Sequence, residues 1–483
     1  MVLFQNHSDP KYQLLEGPKK KCSCVAHSWA IFGLIVLSIT ITLISLVMIW
    51  DQIKQMQRKT ETLDIVLFGP KRENSDVVRF SEYRVLSYAL ANGSYSPSTD
   101  RLNKASGNKI NSNVETYQHV EKPYALVCYY VTPSRSSSVD RLYPDDIDAN
   151  LCTHIIISFA TVHNNSLHFA DTDIVDQLLA LKKNNTNLKL LLSVVSFSTS
   201  SDAFATMVST EANRKMFVES VTRVLEVYSL DGIDLDWEFP AWPETRDVIQ
   251  RDQFTELLKE MRTSFGSKFM ISVAVAAPYV ISDRAYDVPS MALYVDFVNL
   301  MCYDYHAYVW YLPFTGPNSP LFSSGIDVNY GTTLNTNYTV HYWIDRGMPR
   351  SKIIVGMPTY GHSWTLKYPN INGYGALAEG YGSIGEKGFV SYRKICDFTN
   401  LKDTVTVFDG NTRVPYAYND KEWLSFDNER SLSYKAEYIA EKGLGGAMIF
   451  SLNQDDFEGT VCPERVTFPL VKRVKMVILD DLL

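Results

Sequence analysis

From residue 123 onward, short apolar runs alternate with longer segments in which apolar residues recur at helical spacing. In one such segment Phe217, Val221 and Leu225 lie four positions apart, which predicts an amphipathic helix. The short runs predict buried strands. Eight runs of this kind occur, at Ala125–Tyr130, His154–Ala160, Lys189–Val194, Gly232–Trp237, Phe269–Ala276, Phe297–Tyr303, Ile353–Met357 and Gly446–Phe450. Alternating strands and helices favour a (β/α)₈ barrel, although periodicity alone leaves a doubly wound sheet as an alternative.

The N-terminal part of the chain has a different texture. Residues 28–50 are predominantly apolar and carry no charge, and about 20 such residues are enough to span a membrane. A cleaved secretory signal would need a shorter apolar core and a small-residue cleavage site. We therefore predict a transmembrane signal anchor over residues 28–50 and, from the slight excess of lysines before it, a cytoplasmic tail over residues 1–27. Residues 91–113 are polar and aperiodic, which predicts a stalk or linker over residues 51–122.

Sequons and cysteines fit the same orientation. N-glycosylation sequons follow the predicted anchor at Asn92, Asn164, Asn184 and Asn337, which indicates a lumenal or extracellular barrel on a single-pass membrane protein. The cysteines after the anchor would allow two disulfides and one free thiol in an oxidising compartment. With a net charge of −8 and no long basic run, the chain does not favour a nucleic-acid partner. The histidines and cysteines show no spacing typical of a metal site.

The strongest chemical signal is the acidic strand at residues 231–238. Asp234, Asp236 and Glu238 are two positions apart, so their carboxyl groups project from one face of a strand and the intervening apolar residues from the other. Three carboxylates spaced about 7 Å apart repel one another unless some are protonated. One of them is therefore a candidate general acid near neutral pH. Alternation by itself is also typical of an edge strand with a solvated acidic face.

The pattern D-x-x-D-x-D-x-E resembles the catalytic motif of glycoside hydrolase family 18, the chitinases and chitinase-like proteins, and every position is intact. Further segments resemble the family in order along residues 124–483: Leu126–Tyr130, Cys152–Ile156, Met301–Asp304, Gly356–Gly361, Gly445–Met448 and Asp455–Phe457. The resemblance implies a TIM barrel over residues 123–483 with a small α+β insertion, at about residues 364–432, between strands seven and eight. It also implies the disulfide pairs Cys128–Cys152 and Cys396–Cys462, and no cofactor.

The resemblance implies a role for each acidic residue. Glu238 would protonate the leaving glycosidic oxygen, while the substrate's N-acetyl carbonyl acts as the nucleophile. Asp236 would hold the acetamido N–H, and Asp234 would share a proton with Asp236. Tyr303 would hydrogen-bond the acetamido oxygen.

Sugar binding is implied for Asp304, Tyr360, Phe450, Met301 and Trp237. For Tyr303 and Tyr360 the alternative is ordinary core packing, with the hydroxyl group hydrogen-bonded inside the protein.

The chain departs from the family around the groove. Val195 and Ser196 stand where the family has two glycines, Phe450 replaces a tryptophan that floors the central sugar subsite, and His362 replaces an arginine. Pro133 stands where a tryptophan often lines the far groove. Loss of large flat rings should weaken sugar binding.

Two functions from different classes are compatible with these residues. The intact acids favour a membrane-anchored hydrolase that cleaves β-1,4-linked N-acetylglucosamine in chitin or chitooligosaccharides with retention. The altered groove favours a weakly active or inactive chitinase-like protein that binds glycans at a membrane surface. A purely structural role would leave the retained carboxylates unexplained.

Overall fold

The computed structural model describes residues 124–133, 141–196, 203–242 and 248–480. The predicted tail, anchor and stalk lie outside these ranges, so their boundaries stay predictions. Within the described ranges, none of the helices has both the length and the apolar character that crossing a membrane requires.

The described residues form strands and helices in alternation. The strands are β1 (Ala125–Val131), β2 (His154–His163), β3 (Ser166–His168), β4 (Lys189–Ser196), β5 (Gly232–Trp237), β6 (Met270–Ala276), β7 (Phe297–Met301), β8 (Ile353–Pro358), β9 (Tyr360–Leu366), β10 (Ala378–Tyr381), β11 (Phe389–Ser391), β12 (Val405–Phe408), β13 (Pro415–Asn419), β14 (Glu422–Ser425) and β15 (Gly446–Phe450). The α-helices are α1 (Thr172–Leu181), α2 (Ala203–Val208), α3 (Glu211–Val227), α4 (Ile249–Phe265), α5 (Tyr279–Ala285), α6 (Val288–Tyr294), α7 (Thr336–Asp345), α8 (Tyr392–Thr399), α9 (Glu429–Lys442) and α10 (Pro469–Lys475).

Eight of the strands close into a parallel barrel in the order β1, β2, β4, β5, β6, β7, β8 and β15. Because β1 pairs in parallel with both β2 and β15, the sheet has no free edge, which excludes the doubly wound alternative. All eight predicted strands are present, and the predicted TIM-barrel fold is confirmed. The short strand β3 folds back on β2 as an antiparallel hairpin.

Helices pack around the outside of the barrel through the apolar stripes that the sequence predicts. The Thr210 hydroxyl caps the start of α3 by accepting a hydrogen bond from the Asn213 amide. Phe217, Val221 and Leu225 of this helix are fully buried against the barrel. This layer is separate from the smaller apolar cluster inside the barrel, which includes Tyr129 and Met448.

A second, antiparallel sheet forms the insertion, with strand order β10, β9, β14, β13, β12 and with β11 paired to β9. It begins at Tyr360, only one residue after β8, and its last strand ends at Ser425. The predicted insertion at residues 364–432 is thus present, but β9 starts earlier because the chain passes almost directly from the barrel into it. As a result, the first residues of the insertion lie at the carboxyl end of the barrel, where active sites of this fold lie.

Both predicted disulfides are present, Cys128–Cys152 and Cys396–Cys462, while Cys302 is buried and free. The first joins β1 to the residues just before β2. The second joins α8 of the insertion to the segment after β15. Each such bridge typically stabilises a fold by about 2–4 kcal/mol.

Candidate active site

Strand β5 directs its two aspartates into the barrel. Asp234 is fully buried and Asp236 is almost so, and Glu238 follows directly after the end of the strand. The apolar residues between them point outward to the helices, as the period of two requires. The strand therefore presents the acids in a row that rises from the barrel interior to its carboxyl end.

Asp234 lies deepest and accepts four hydrogen bonds. The Tyr129 and Ser193 hydroxyls each lie 2.8 Å from its Oδ2 atom. On the other oxygen, Ser272 Oγ lies at 2.7 Å and Asn299 Nδ2 at 3.3 Å. Burial raises the pKa of Asp234, and these donors oppose that rise by stabilising the carboxylate.

Asp236 contrasts with Asp234 because its buried Oδ1 atom has no hydrogen-bond partner in the protein. Burial raises the pKa of Asp236 well above its ordinary range, and the nearby carboxyls of Glu238 and Asp234 add to the effect. A buried polar atom without a partner is costly. This oxygen is therefore suited to accept a hydrogen bond from a bound ligand.

Glu238 is poised to exchange a proton near neutral pH. Its pKa is raised from 4.5 to about 7, first by burial and then by the negative charge of Asp304. A general acid works best when its pKa is close to the operating pH. Glu238 has this property, and it lines the cavity.

Asp236 and Glu238 open into a cavity of about 250 Å³, slightly below the usual range for small-molecule pockets, which starts at about 300 Å³. Seven of the residues predicted to act in catalysis or sugar binding line it: Asp236, Glu238, Met301, Tyr303, Asp304, Tyr360 and Phe450. Four lining residues were missed by the sequence reasoning: Tyr129, Phe159, Ala274 and Phe389. Inward alternation along β1 is a signal that could have identified Tyr129.

Aromatic rings build the wall and floor of the cavity. Phe450 stacks on Tyr303 with ring centroids 5.9 Å apart and an angle of 29° between the planes. Phe389 of the insertion stacks more closely on Tyr360, at 4.4 Å and 24°. The Tyr303 hydroxyl lies 3.9 Å from the Met448 sulfur, which is a weak acceptor. Burial raises the pKa of Tyr303 well above its ordinary value, so the hydroxyl stays protonated and can donate to a ligand.

Asp304 connects the barrel to the insertion at the rim. Its Oδ1 atom accepts a hydrogen bond from the Tyr360 hydroxyl at 2.7 Å and lies 2.7 Å from His362 Nε2. Its backbone has φ of +58°, a left-handed conformation that is uncommon outside glycine. The Asp304 side chain is about half exposed and faces the cavity that also contains Glu238.

Two residues singled out from the sequence, Val195 and Trp237, do not line the cavity. Val195 on β4 pairs in register with Asp236 and is buried, so a branched side chain stands beside the acidic strand where glycine would leave space. Trp237 is only 2% exposed and packs outside the barrel against Phe204, at 5.4 Å, and Phe254, at 5.7 Å. The structure does not bring Trp237 to the cavity, because the alternation that turns the acids inward turns this ring outward.

With this fold and this site, the chain belongs to the glycosyl hydrolases of family 18, whose family model matches residues 125–455. It is 36% identical to mouse chitotriosidase-1 over 367 residues, which cover 72% of this chain and 77% of that protein.

The fold is similar to solved structures of both a pseudo-chitinase and a chitinase. Human YKL-39, reported as a pseudo-chitinase with retained chitooligosaccharide binding properties, matches with a TM-score of 0.69 and 33% identity over 73% of this chain and 99% of that one. A group IV chitinase from Ostrinia furnacalis also matches with a TM-score of 0.69 and 33% identity, over 74% and 99%. The relatives thus include both chitinases and a pseudo-chitinase, so the family alone does not determine activity.

Proposed function

We propose that this chain is a retaining glycoside hydrolase that cleaves β-1,4 linkages between N-acetylglucosamine units of chitin or chitooligosaccharides. One observation carries the proposal. Glu238, with a pKa raised to about 7, faces the same cavity as Asp236, whose buried Oδ1 atom lacks a partner. A proton donor and an unoccupied acceptor in one cavity match what hydrolysis with a neighbouring acetamido group needs.

In the proposed reaction Glu238 gives its proton to the glycosidic oxygen as the bond from that oxygen to the anomeric carbon breaks. The carbonyl oxygen of the substrate's acetamido group forms the new bond to that carbon, which gives a cyclic oxazolinium ion. Water then attacks the same carbon and transfers a proton to the Glu238 carboxylate. The acetamido group is released, the acid is restored, and two displacements at one carbon leave its configuration retained.

Asp236 and Tyr303 orient the acetamido group. The free Oδ1 atom of Asp236 accepts the acetamido N–H and offsets the positive charge that develops on the ring. Asp234 lies two residues before Asp236 on the same strand and is held in place by its four hydrogen-bond donors. In this proposal it shares a proton with Asp236. The protonated Tyr303 hydroxyl donates to the acetamido oxygen, and Asp304 and Phe450 contact the sugar.

Product stereochemistry tests the mechanism. The purified full chain is incubated with tetra-N-acetylchitotetraose, and the first product is followed by proton NMR; we expect the β-anomer. Cellotetraose, which has the same linkage but no acetamido group, is the matched control and should remain uncleaved. An initial α-anomer, or equal cleavage of both tetrasaccharides, would contradict the acetamido group as nucleophile.

A second function, glycan binding with little or no turnover, is favoured by the position of Val195. Its side chain is buried and lies in register with Asp236 on the neighbouring strand, so it fills space that a glycine would leave empty. If this reading is correct, the full chain binds tetra-N-acetylchitotetraose without releasing product. Appearance of turnover in Val195→Gly would then show that this side chain, rather than the acids, limits the reaction.

We further propose that the barrel is displayed from a membrane by residues 28–50, with the N-terminus cytoplasmic and the barrel lumenal or extracellular. The proposal rests on the uncharged apolar run and on the sequons that follow it. Protease added to sealed microsomes should leave the barrel intact and remove an epitope tag placed before residue 27. Loss of the barrel in sealed vesicles would contradict this orientation.

A further inference from the structure

A buried ion pair lies outside the cavity, between the end of the insertion and helix α9. Lys435 of α9 and Asp427 are both buried, with side chains that are 0% exposed. Lys435 Nζ lies 2.7 and 2.8 Å from the two oxygens of Asp427, so the cation is bound by both atoms of the carboxylate. The Ser431 hydroxyl donates to the same carboxylate at 2.7 Å.

Ser319 connects the ion pair to the candidate active site through two hydrogen bonds. Lys435 Nζ donates to Ser319 Oγ at 2.7 Å, and Ser319 Oγ donates to the Cys302 carbonyl oxygen at 2.6 Å. An ammonium group can only donate, so the direction of both hydrogen bonds is fixed. The charge of Lys435 thus orients a hydroxyl toward the carbonyl group that immediately precedes Tyr303.

Asn318, next to Ser319 in the chain, hydrogen-bonds the two residues that follow Tyr303. Its Oδ1 atom accepts the Asp304 amide at 2.9 Å, and its carbonyl oxygen accepts the Tyr305 amide at 3.1 Å. Its own amide donates to Ser425 Oγ at 2.8 Å, which connects it to the last strand of the insertion. Asp304, with φ of +58°, is in a conformation that persists only where its surroundings fix it.

We propose that the Asp427–Lys435 ion pair is a positioning unit of the active site, which acts through Ser319 to hold the backbone that presents Tyr303 and Asp304 to the cavity. This inference rests on the proposed hydrolase function and extends it to residues that do not touch the substrate. Lys435, Asp427 and Ser319 are positioning residues in this account, and Tyr303 and Asp304 are the groups they position.

Stability alone does not explain a charged pair at this place. Replacing a buried ion pair with apolar residues of similar volume is often neutral or stabilising, whereas removal of one partner is strongly destabilising. An apolar pair would fill the space equally well, but it could not direct the Ser319 hydroxyl toward the Cys302 carbonyl. A double replacement can therefore separate the two roles.

The test uses the full chain with Ser319→Ala and with the double variant Asp427→Leu/Lys435→Met. Ser363→Ala is the matched control, because Ser363 is also buried and also donates to a backbone carbonyl, that of Ile384 at 3.0 Å, but this hydrogen bond lies within the insertion. Amide hydrogen exchange is measured on the peptide that contains residues 302–305. Turnover of a fluorogenic chitotrioside, affinity for tetra-N-acetylchitotetraose and Tm are measured on the same samples.

We expect both Ser319→Ala and the double variant to speed exchange at the Asp304 and Tyr305 amides about tenfold, which corresponds to loss of one hydrogen bond. The kcat should fall by a similar factor, while Tm stays close to that of wild type and Ser363→Ala changes neither quantity. Unchanged exchange at residues 304–305, or an equal increase throughout the barrel, would overturn the proposal. So would faster local exchange with unchanged kcat.

Failure of the proposed function would look different. If wild type neither turns over the chitotrioside nor binds the tetrasaccharide, the hydrolase and glycan-binding proposals fail together. The exchange result then decides separately whether the ion pair positions the turn, because exchange does not depend on activity.

Discussion

The charge on Asp304 should extend the alkaline limit of activity to higher pH. Glu238 must be protonated to act as the acid, and its pKa is about 7 because it is buried and because Asp304 carries a negative charge nearby. Raising the pH removes the proton, so kcat/KM should fall about tenfold for each pH unit above about 7. Asp304→Asn removes the charge and keeps the shape of the side chain, and it should therefore move this limit to lower pH.

The size of the effect follows from the two contributions. A rise from 4.5 to about 7 corresponds to about 3 kcal/mol in favour of the protonated form, at about 1.4 kcal/mol for each pKa unit. Burial is the larger cause and remains in the variant. We therefore expect the alkaline limit to move down by about one pH unit, which is typical for the loss of one neighbouring charge.

The assay is kcat/KM for a fluorogenic chitotrioside from pH 4 to pH 10, with Glu256→Gln as control. Glu256 is an exposed acid on α4 that forms an ion pair with Lys259 on the same helix. Asp304→Asn also weakens the contacts of this side chain with Tyr360 and His362 by removing its charge, so the diagnostic quantity is the position of the alkaline limit and not the height of the profile. A wild-type limit near pH 5, or a limit that does not move in Asp304→Asn, would refute the reasoning.

Three further predictions address stability, the groove and orientation. In the native state Glu238 keeps its proton up to about pH 7, whereas in the unfolded chain it loses the proton near pH 4.5, so the free energy of unfolding falls as the pH rises through this window. Glu238→Gln should therefore raise the free energy of unfolding at pH 8 by up to about 3 kcal/mol and leave it unchanged at pH 4. Urea denaturation at the two pH values measures both quantities. Phe450→Trp should tighten binding of tetra-N-acetylchitotetraose about 3- to 10-fold through added ring contact, measured by calorimetry, and an unchanged Kd in a folded variant would contradict this. In a secretory host, glycans should occupy Asn164 and Asn184, which lie exposed in turns, but not Asn337, which lies in α7 and accepts a hydrogen bond from Tyr438 at 3.0 Å; glycopeptide mass spectrometry checks each site.

The sequence predicted the elements of the barrel because apolar runs and helical stripes are local signals. The bounds of β5 and β15 were predicted to the residue. Alternation along β5 also predicted that Asp234 and Asp236 share one face. The same alternation turns Trp237 to the opposite face, and the structure places its ring in the outer layer and not at the cavity where the resemblance implied sugar binding.

What could not be predicted depends on contacts between distant parts of the chain. Lys435 reaches Ser319 across 116 positions, and Asn318 reaches Ser425 across 107. In the sequence Lys435 lies in an ordinary amphipathic helix, and no local pattern distinguishes it from an exposed lysine. Phe389 is similar, because its stacking on Tyr360 depends on how β11 pairs with β9.

The central claim is that Glu238 donates the proton in glycoside hydrolysis. The most direct measurement compares the full chain with Glu238→Gln for turnover of fluorogenic di- and tri-N-acetylchitooligosaccharides near pH 6, with urea denaturation to establish that both are folded. We predict clear turnover in wild type and a loss of at least about 100-fold in the variant, in line with removal of a general acid. Equal turnover in the two proteins would contradict the role of Glu238, and absence of turnover in folded wild type would contradict the hydrolase.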